Sequence, residues 1–224
     1  SFNAALRDAA AAAAREAGHT VTVSDLYGEG FGAVAGRGDF ETMADASRFH
    51  YQTEQAHAAR TGTFSPELRR EQDRVRQADV IVFQFPLWWG GPPAVLKGWL
   101  ERVLAYGFAY VDGRRFDTGF LKGRRGLICV TTGGTPERFS AEGVYGEIDR
   151  VLYPVQRLAL QYMGLETEEP FVCYGTPRID EAARHDYRTA WRQRSVDTLS
   201  KPVDRQPLPE AAGGDDDRAW ERSR

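Results

Sequence analysis

Long apolar runs, sulfur and charge of a single sign are all scarce in this 224-residue chain. No stretch approaches the ~18 consecutive apolar residues that a membrane-spanning helix needs, so no membrane insertion is expected. No signal peptide is recognised. There are only two cysteines, Cys129 and Cys173, and both fall in apolar, strand-like runs. That predicts buried free thiols rather than a disulfide, and nothing points to an oxidising compartment. The expected location is therefore the cytoplasm. The 29 basic and 32 acidic residues are mixed along the chain and leave a net charge of −3. Without a block of like charge, nucleic-acid binding and membrane-surface attachment are excluded as the main role. No metal site is read from the sequence.

What is present alternates between helical and strand-like patterns. A first helix runs through the alanine-rich stretch after Ala4, with Ser1 or Asn3 as N-cap and Gly18 at its end. His19 to Tyr27 alternates like a strand. Residues 28–64 form a long Gly-rich, polar excursion without a regular element, and long structured loops are often functional. Ser65-Pro66 opens a second helix, with proline at its first position, that reaches about Gln77. A strand over 79–85, a loop over 86–93 and a helix over 94–105 follow. After an irregular segment, 106–124, come a strand from Gly126 to Thr132 and a helix from about Glu147 to Met163, closed by Gly164. Leu165 to Tyr174 reads as a strand and Asp180 to Leu199 as a last helix. Residues 1–199 are expected to form one domain and 200–224 a weakly ordered tail.

Strands alternating with helices predict an α/β fold with a parallel sheet. The expected architecture is a flavodoxin-like, doubly wound sheet of order 2-1-3-4-5, in which the first strand is central. Here a helix comes first. A sheet without its middle strand leaves two rows of unpaired backbone groups, each costing about 1–3 kcal/mol if dry. The expectation is that about 10–15 residues upstream of Ser1 are missing, with a strand-to-helix turn that would hold a ligand phosphate. A gap should then separate the strand at 20–23 from that at 79–85.

The run from Phe83 to Pro93 carries the strongest functional signal. A strand ends, a Pro/Gly/Trp loop turns, and a helix begins. Ligands of open parallel sheets bind in such loops, outside the carboxyl ends of strands. This one offers two large aromatic rings and free backbone but no obvious acid or base. That combination suits a flat, electron-poor ring system better than a substrate for hydrolysis.

Four stretches then carry a family resemblance: Ser1-Phe2-Asn3; Phe83-Gln84-Phe85-Pro86-Leu87-Trp88-Trp89; Leu96 to Val103 with Gly107-Phe108-Ala109-Tyr110; and Thr131-Thr132-Gly133-Gly134. With this spacing, over roughly residues 1–175, the chain resembles the flavin-dependent NAD(P)H:quinone oxidoreductases of the DT-diaphorase type and their bacterial relatives. The resemblance implies FAD or FMN as cofactor and NAD(P)H as co-substrate. Quinones or similar flat acceptors would be reduced by ping-pong hydride transfer. It implies that Pro86, Leu87, Trp88, Trp89 and Gly90 flank the flavin ring, with the Leu87–Gly90 amides bonding its polar edge. Thr131, Thr132, Gly133 and Gly134 would let backbone approach the ring, and Ser1, Phe2 and Asn3 would hold the phosphates at a helix N-terminus. It also implies a homodimer in which residues 106–116, through Phe108 and Tyr110, reach the partner's substrate pocket.

One departure from the family stands out. Where well-known members carry a Tyr and a His after the Thr-Thr-Gly-Gly loop, this chain has Phe139 and Tyr145. Phe139, a cofactor-site residue by position, cannot donate a hydrogen bond. Tyr145 is the candidate catalytic residue, but a phenol with a pKa of about 10 is a poor proton shuttle at neutral pH. The His-assisted route therefore does not carry over. Elsewhere, Trp99 reads as core packing, Lys97 and Glu101 as a surface pair, His185 as solvated, and His50 as a weak flavin contact. The alternative function is a flavodoxin-like regulatory subunit of a potassium-efflux system. A simple electron-transfer flavodoxin is disfavoured, because such proteins are usually more acidic.

Overall fold

The computed structural model describes residues 1–208. Helix α1 (Phe2–Glu16) is capped by Ser1, whose hydroxyl accepts from the Ala4 amide at 3.3 Å. Helix α3 (Pro66–Gln77) starts at Ser65, and α6 (Glu181–Leu199) at Asp180, whose carboxylate accepts from the Ala183 amide at 2.8 Å. Strands β1 (Val80–Pro86) and β2 (Arg125–Thr131) pair in parallel over their full lengths. β3 (Glu166–Thr167) and β4 (Phe171–Cys173) both pair with the other edge of β2. The fold is flavodoxin-like, and the last three strands of the expected order are neighbours as expected.

Three expectations need correction. The expected strand from His19 to Tyr27 does not form. A strand is defined by its ladder, and this stretch pairs with no strand among the described residues. Side chains tether it instead: Ser24 donates to Glu71 at 2.8 Å and Arg7 to Asp25 at 2.8 Å. Among the described residues the outer edge of β1 likewise has no ladder partner, and Val82 stays 43% exposed.

The second correction lies in the 28–64 excursion, which contains helix α2 (Tyr51–Thr61). Its buried face carries Glu54 and Gln55 in place of aliphatic residues, so it leaves no apolar periodicity to read. Glu54 accepts from the Ala44 amide at 2.6 Å. Gln55 donates to the Glu101 carbonyl at 3.2 Å and Gln72 to the Val103 carbonyl at 3.3 Å. These two amides satisfy carbonyls at the end of α4 (Ala94–Val103) that the helix itself leaves unpaired. A buried ion pair, Arg102–Asp39 at 2.6 Å, ties the excursion to α4, and the Tyr51 hydroxyl donates to the same carboxylate at 2.5 Å. Burial and that carboxylate push the Tyr51 phenol well above its ordinary pKa.

The third correction concerns two elements that break. The expected helix over 147–163 is α5 (Ile148–Val155) followed by a π-helical stretch, Gln156–Gln161. Pro154 lies inside it and cannot donate to the ladder, which widens the next turn. The expected strand over 165–174 divides into β3 and β4. Register against β2 slips by one residue between Gly126↔Thr167 and Cys129↔Phe171, a bulge that accommodates Pro170.

β2 separates two apolar layers. Ile128 and Val130 face the larger core with Phe83, Phe85, Trp99 and Leu152. Leu127 and Cys129 face Leu6, Cys173 and Trp191 of the layer made with α1 and α6. Both cysteines are free and buried, and burial pushes the Cys129 thiol up. Trp99 is packed against Phe83 and donates to the buried Glu71 at 2.9 Å. Beyond α6, residues 202–208 cross the amino end of the sheet. The Asp204 amide bonds the Gly123 carbonyl at 3.1 Å, and Leu208 rests on the core. Residues 209–224 of the expected tail lie outside the described residues.

Candidate functional site

The carboxyl ends of β1 and β2 bring three of the sequence-selected stretches together. Asn3 joins them: its side-chain amide donates to the Thr131 hydroxyl at 3.0 Å and its carbonyl accepts from Gln84 at 2.6 Å. The Asn3 Oδ1 atom is buried without a partner among the described residues. The Phe2 and Asn3 amides open α1 with no intrahelical acceptor, so this helix end offers free donors and a positive dipole.

After Pro86 the chain makes a two-residue hairpin turn. Trp88 and Gly91 exchange both backbone hydrogen bonds at 3.0 Å, while Trp89 and Gly90 take φ of 50° and 73°. Two left-handed residues in succession mark a type I′ turn. Gly90 tolerates that conformation, but a tryptophan there is strained. Trp89 is fully exposed and Trp88 is 61% exposed. The expected row of four free amides is shortened. The Leu87 amide bonds the Thr131 carbonyl at 2.8 Å and the Trp88 amide bonds Gly91, leaving those of Trp89 and Gly90 without acceptors among the described residues.

The Thr131–Gly134 stretch is sorted in the same way. The Thr132 amide bonds the Cys173 carbonyl at 2.9 Å and the Gly134 amide bonds the Thr132 hydroxyl at 2.8 Å. The Gly133 amide is left over. A Cβ placed on Gly133 would meet nothing within 4 Å, whereas one on Gly134 would sit 2.6 Å from the Phe139 ring. Phe139 is buried between Tyr145, at 5.1 Å between ring centres, and Tyr174, at 6.0 Å. Tyr145 is half-exposed, and its hydroxyl lies 3.5 Å from an Arg138 nitrogen.

Not every selected side chain points into this space. Phe2 packs on the α1–α6 layer with the Arg184 guanidinium 5.5 Å from its ring, so only its backbone is left for a ligand. Phe108 is buried under the Arg76 guanidinium and does not present the free aromatic face expected of it. Tyr110 is half-buried in a ladder of rings with Tyr106 and Tyr162, and burial raises its pKa. His50 caps α2, accepting from the Thr53 amide. A separate hollow of about 180 Å³, lined by Phe64, Gln72, Phe108 and Leu208 among others, lies away from the strand ends.

Sequence reasoning missed the turn after β4. Gly175, Thr176 and Arg178 bond the backbone of Thr132–Gly134, and Arg184 holds the Thr176 carbonyl at 3.1 Å. The signal was available, since Gly-Thr-Pro directly follows a strand and is therefore another carboxyl-end loop. Among the described residues, no group of three or more His, Cys, Asp or Glu could hold a metal, and no helix is long and apolar enough to cross a membrane.

Comparison with known proteins agrees with this geometry. A family of flavodoxin-like fold matches residues 1–195. NAD(P)H dehydrogenase (quinone) 1 of Cavia porcellus is 36% identical over 195 residues, covering 87% of this chain and 71% of the relative. Ribosyldihydronicotinamide dehydrogenase (quinone) of Homo sapiens is 36% identical over 210 residues, covering 93% and 89%. A solved structure from Klebsiella pneumoniae, described as a quinone reductase, superposes with a TM-score of 0.85 at 35% identity, covering 92% of this chain and 84% of that one. An NAD(P)H:quinone oxidoreductase from Methanothermobacter marburgensis gives 0.68 at 26% identity, covering 90% and 92%. The donors left free at the strand ends and the sequence shared over most of the chain lead to one assignment: this chain belongs to the flavodoxin-like family of the NAD(P)H:quinone oxidoreductases.

Proposed function

We propose that the protein is a flavin-dependent NAD(P)H oxidoreductase that reduces quinones or similar flat acceptors. One observation carries the proposal. At the carboxyl ends of two paired strands, the Trp89, Gly90 and Gly133 amides lack acceptors among the described residues, while the amides on either side of them are paired. Donors preorganised in this way complement a group that gains electron density. The Phe2 and Asn3 amides lie at the helix end, where a phosphate would sit. Flavin, FAD or FMN, supplies the two-electron hydride chemistry when bound.

The chain's own residues bind, orient and screen. Exposed Trp88 and Trp89 form one wall, and the Phe139–Tyr145 pair stands over Gly134 on the other side. Open space at Gly133 leaves room for a flat ring. NAD(P)H and the acceptor would occupy that space in turn, which makes the kinetics ping-pong. Phe139 offers no proton, so of this pair only Tyr145 could donate to developing charge. Residues 106–116, with Tyr110, would complete the substrate space of a second copy in a homodimer, and the location would be the cytoplasm.

The test is to purify the protein, identify the flavin released on denaturation, and follow NADH and NADPH oxidation with menadione. Bound flavin with turnover is the expected result. Yellow protein without turnover would favour the regulatory role in potassium efflux, and absence of flavin binding would overturn both. Sedimentation at micromolar concentration tests the homodimer.

A further inference from the structure

Gly133 and Gly134 are adjacent glycines at the candidate site. A glycine lets the peptide on either side of it flip at little cost, and flipping the Thr132–Gly133 peptide would exchange the Gly133 amide for the Thr132 carbonyl at the ligand. The structure surrounds them with bonds from one short segment. The Thr132 carbonyl accepts from the Thr176 amide at 2.9 Å and from its hydroxyl at 3.3 Å. The Gly133 carbonyl accepts from the Arg178 guanidinium at 2.8 Å, and the Gly134 carbonyl from the Gly175 amide at 2.8 Å. Three successive carbonyls are therefore taken by the Gly175–Arg178 turn. The Gly134 amide is spent on Thr132, and the donor that remains is the Gly133 amide.

The turn is itself held. It closes through the Arg178 amide on the Gly175 carbonyl at 2.8 Å and contains Pro177. Arg184, from the long helix α6, grips the Thr176 and Ile179 carbonyls at 3.1 and 3.4 Å. A rigid helix thus fixes a turn, which fixes a pliant pair.

We propose that Thr176 and Arg178 are positioning residues, holding the carbonyls of Thr132, Gly133 and Gly134 in the turn so that the backbone presents a donor to the flavin. This rests on the reading of the site as a flavin site. A carbonyl turned toward the ring would repel the charge gained on reduction, whereas the amide stabilises it. The brace therefore favours reduced flavin over oxidised flavin, a preference that a purely structural contact would not produce.

Binding of FMN and FAD, oxidised and dithionite-reduced under anaerobic conditions, separates the two roles. Arg178→Met and Thr176→Val are the variants, alone and combined, with Arg178→Lys as the conservative control. Arg178 is exposed, so its variants are expected to keep the wild-type melting temperature. The combined variant should bind oxidised flavin within about threefold of wild type and reduced flavin about tenfold more weakly, as for loss of one bond to a charged group. For a two-electron couple that is about 30 mV of potential. Arg178→Lys should recover part of the loss. Equal weakening of both redox forms, or no change in either, would overturn the positioning role. If the wild-type protein binds neither flavin, the reading of the site fails first, which is a distinguishable result.

Discussion

The two ends of the parallel sheet treat their polar groups in opposite ways. At the amino end, the buried Arg124 reaches the Gln206 carbonyl at 3.1 Å and the Arg76 carbonyl at 3.3 Å, and only its Nε stays unpaired. Arg125 holds the Pro202 carbonyl through two nitrogens, and Arg205 holds the carbonyls that end α3. At the carboxyl end, the Trp89, Gly90 and Gly133 amides have no acceptor among the described residues, and Trp89 is held in a left-handed conformation. Unpaired groups and strain are costly wherever they occur, so an end that keeps three free backbone donors and a left-handed tryptophan reads as built for binding, and the end whose carbonyls are capped by arginines as built for stability.

Two glycines give the sharpest test of that contrast. A Cβ on Gly123 would lie 1.8 Å from the Asp204 carbonyl, at a φ of 79°. Left-handed strain and overpacking together put the cost of Gly123→Ala at about 2–4 kcal/mol of unfolding free energy, with flavin affinity unchanged. Gly133→Ala meets empty space, and its stability should move by less than about 0.5 kcal/mol. Its methyl group enters the space left for the ligand, so flavin should bind about 5–150-fold more weakly. Urea denaturation and flavin titration on both variants read the two effects. If each variant changes both quantities together, the separation between the ends does not hold.

How much of this was legible depended on whether a residue type announces its surroundings. Ser65-Pro66 and Asp180 mark helix starts because their side chains cap only in that geometry, and both helices are where they were expected. The loops at 86–93 and 131–134 were legible because Pro, Gly and Trp are rarely gathered where a chain merely turns. Helix α2 was not, since its buried face is Glu54, Gln55 and only one small apolar residue, Ala58, and a polar face reads as solvent. The alternation at 19–27 reads as a strand, but a strand also needs a neighbour, which local pattern cannot supply. Phe108 shows the same limit. Its place in the loop was readable, while the Arg76 group that covers it is distant in sequence.

Trp89 allows the contrast to be tested at one residue. Trp89→Gly relieves a left-handed tryptophan, so the flavin-free protein should gain about 1 kcal/mol. Trp89→Ala removes a wall of the site, and lost ring stacking of about 1–3 kcal/mol corresponds to roughly 5–150-fold weaker flavin binding. Thermal melts without flavin and fluorescence titration with it separate gain from loss. Unchanged affinity in Trp89→Ala and Trp88→Ala alike would sink the assignment of this loop.

The smallest effect is expected at Tyr145. Its ring packs on Phe139 and borders Gly134, contacts that phenylalanine would keep. What Tyr145→Phe removes is a half-exposed hydroxyl whose one polar neighbour, Arg138, is 3.5 Å away. A hydroxyl already in water and loosely held is not preorganised toward a reacting atom, and preorganisation is what makes a donor effective. Turnover of NAD(P)H with menadione should therefore fall by less than about tenfold, whereas a donor bonded to developing charge would be worth about 10²-fold or more. The split between kcat and kcat/KM adds a second reading. A residue that only lines the space changes KM, while a loss of 10²-fold confined to kcat would make Tyr145 a true donor and move the functional centre from the Gly133 amide toward this ring.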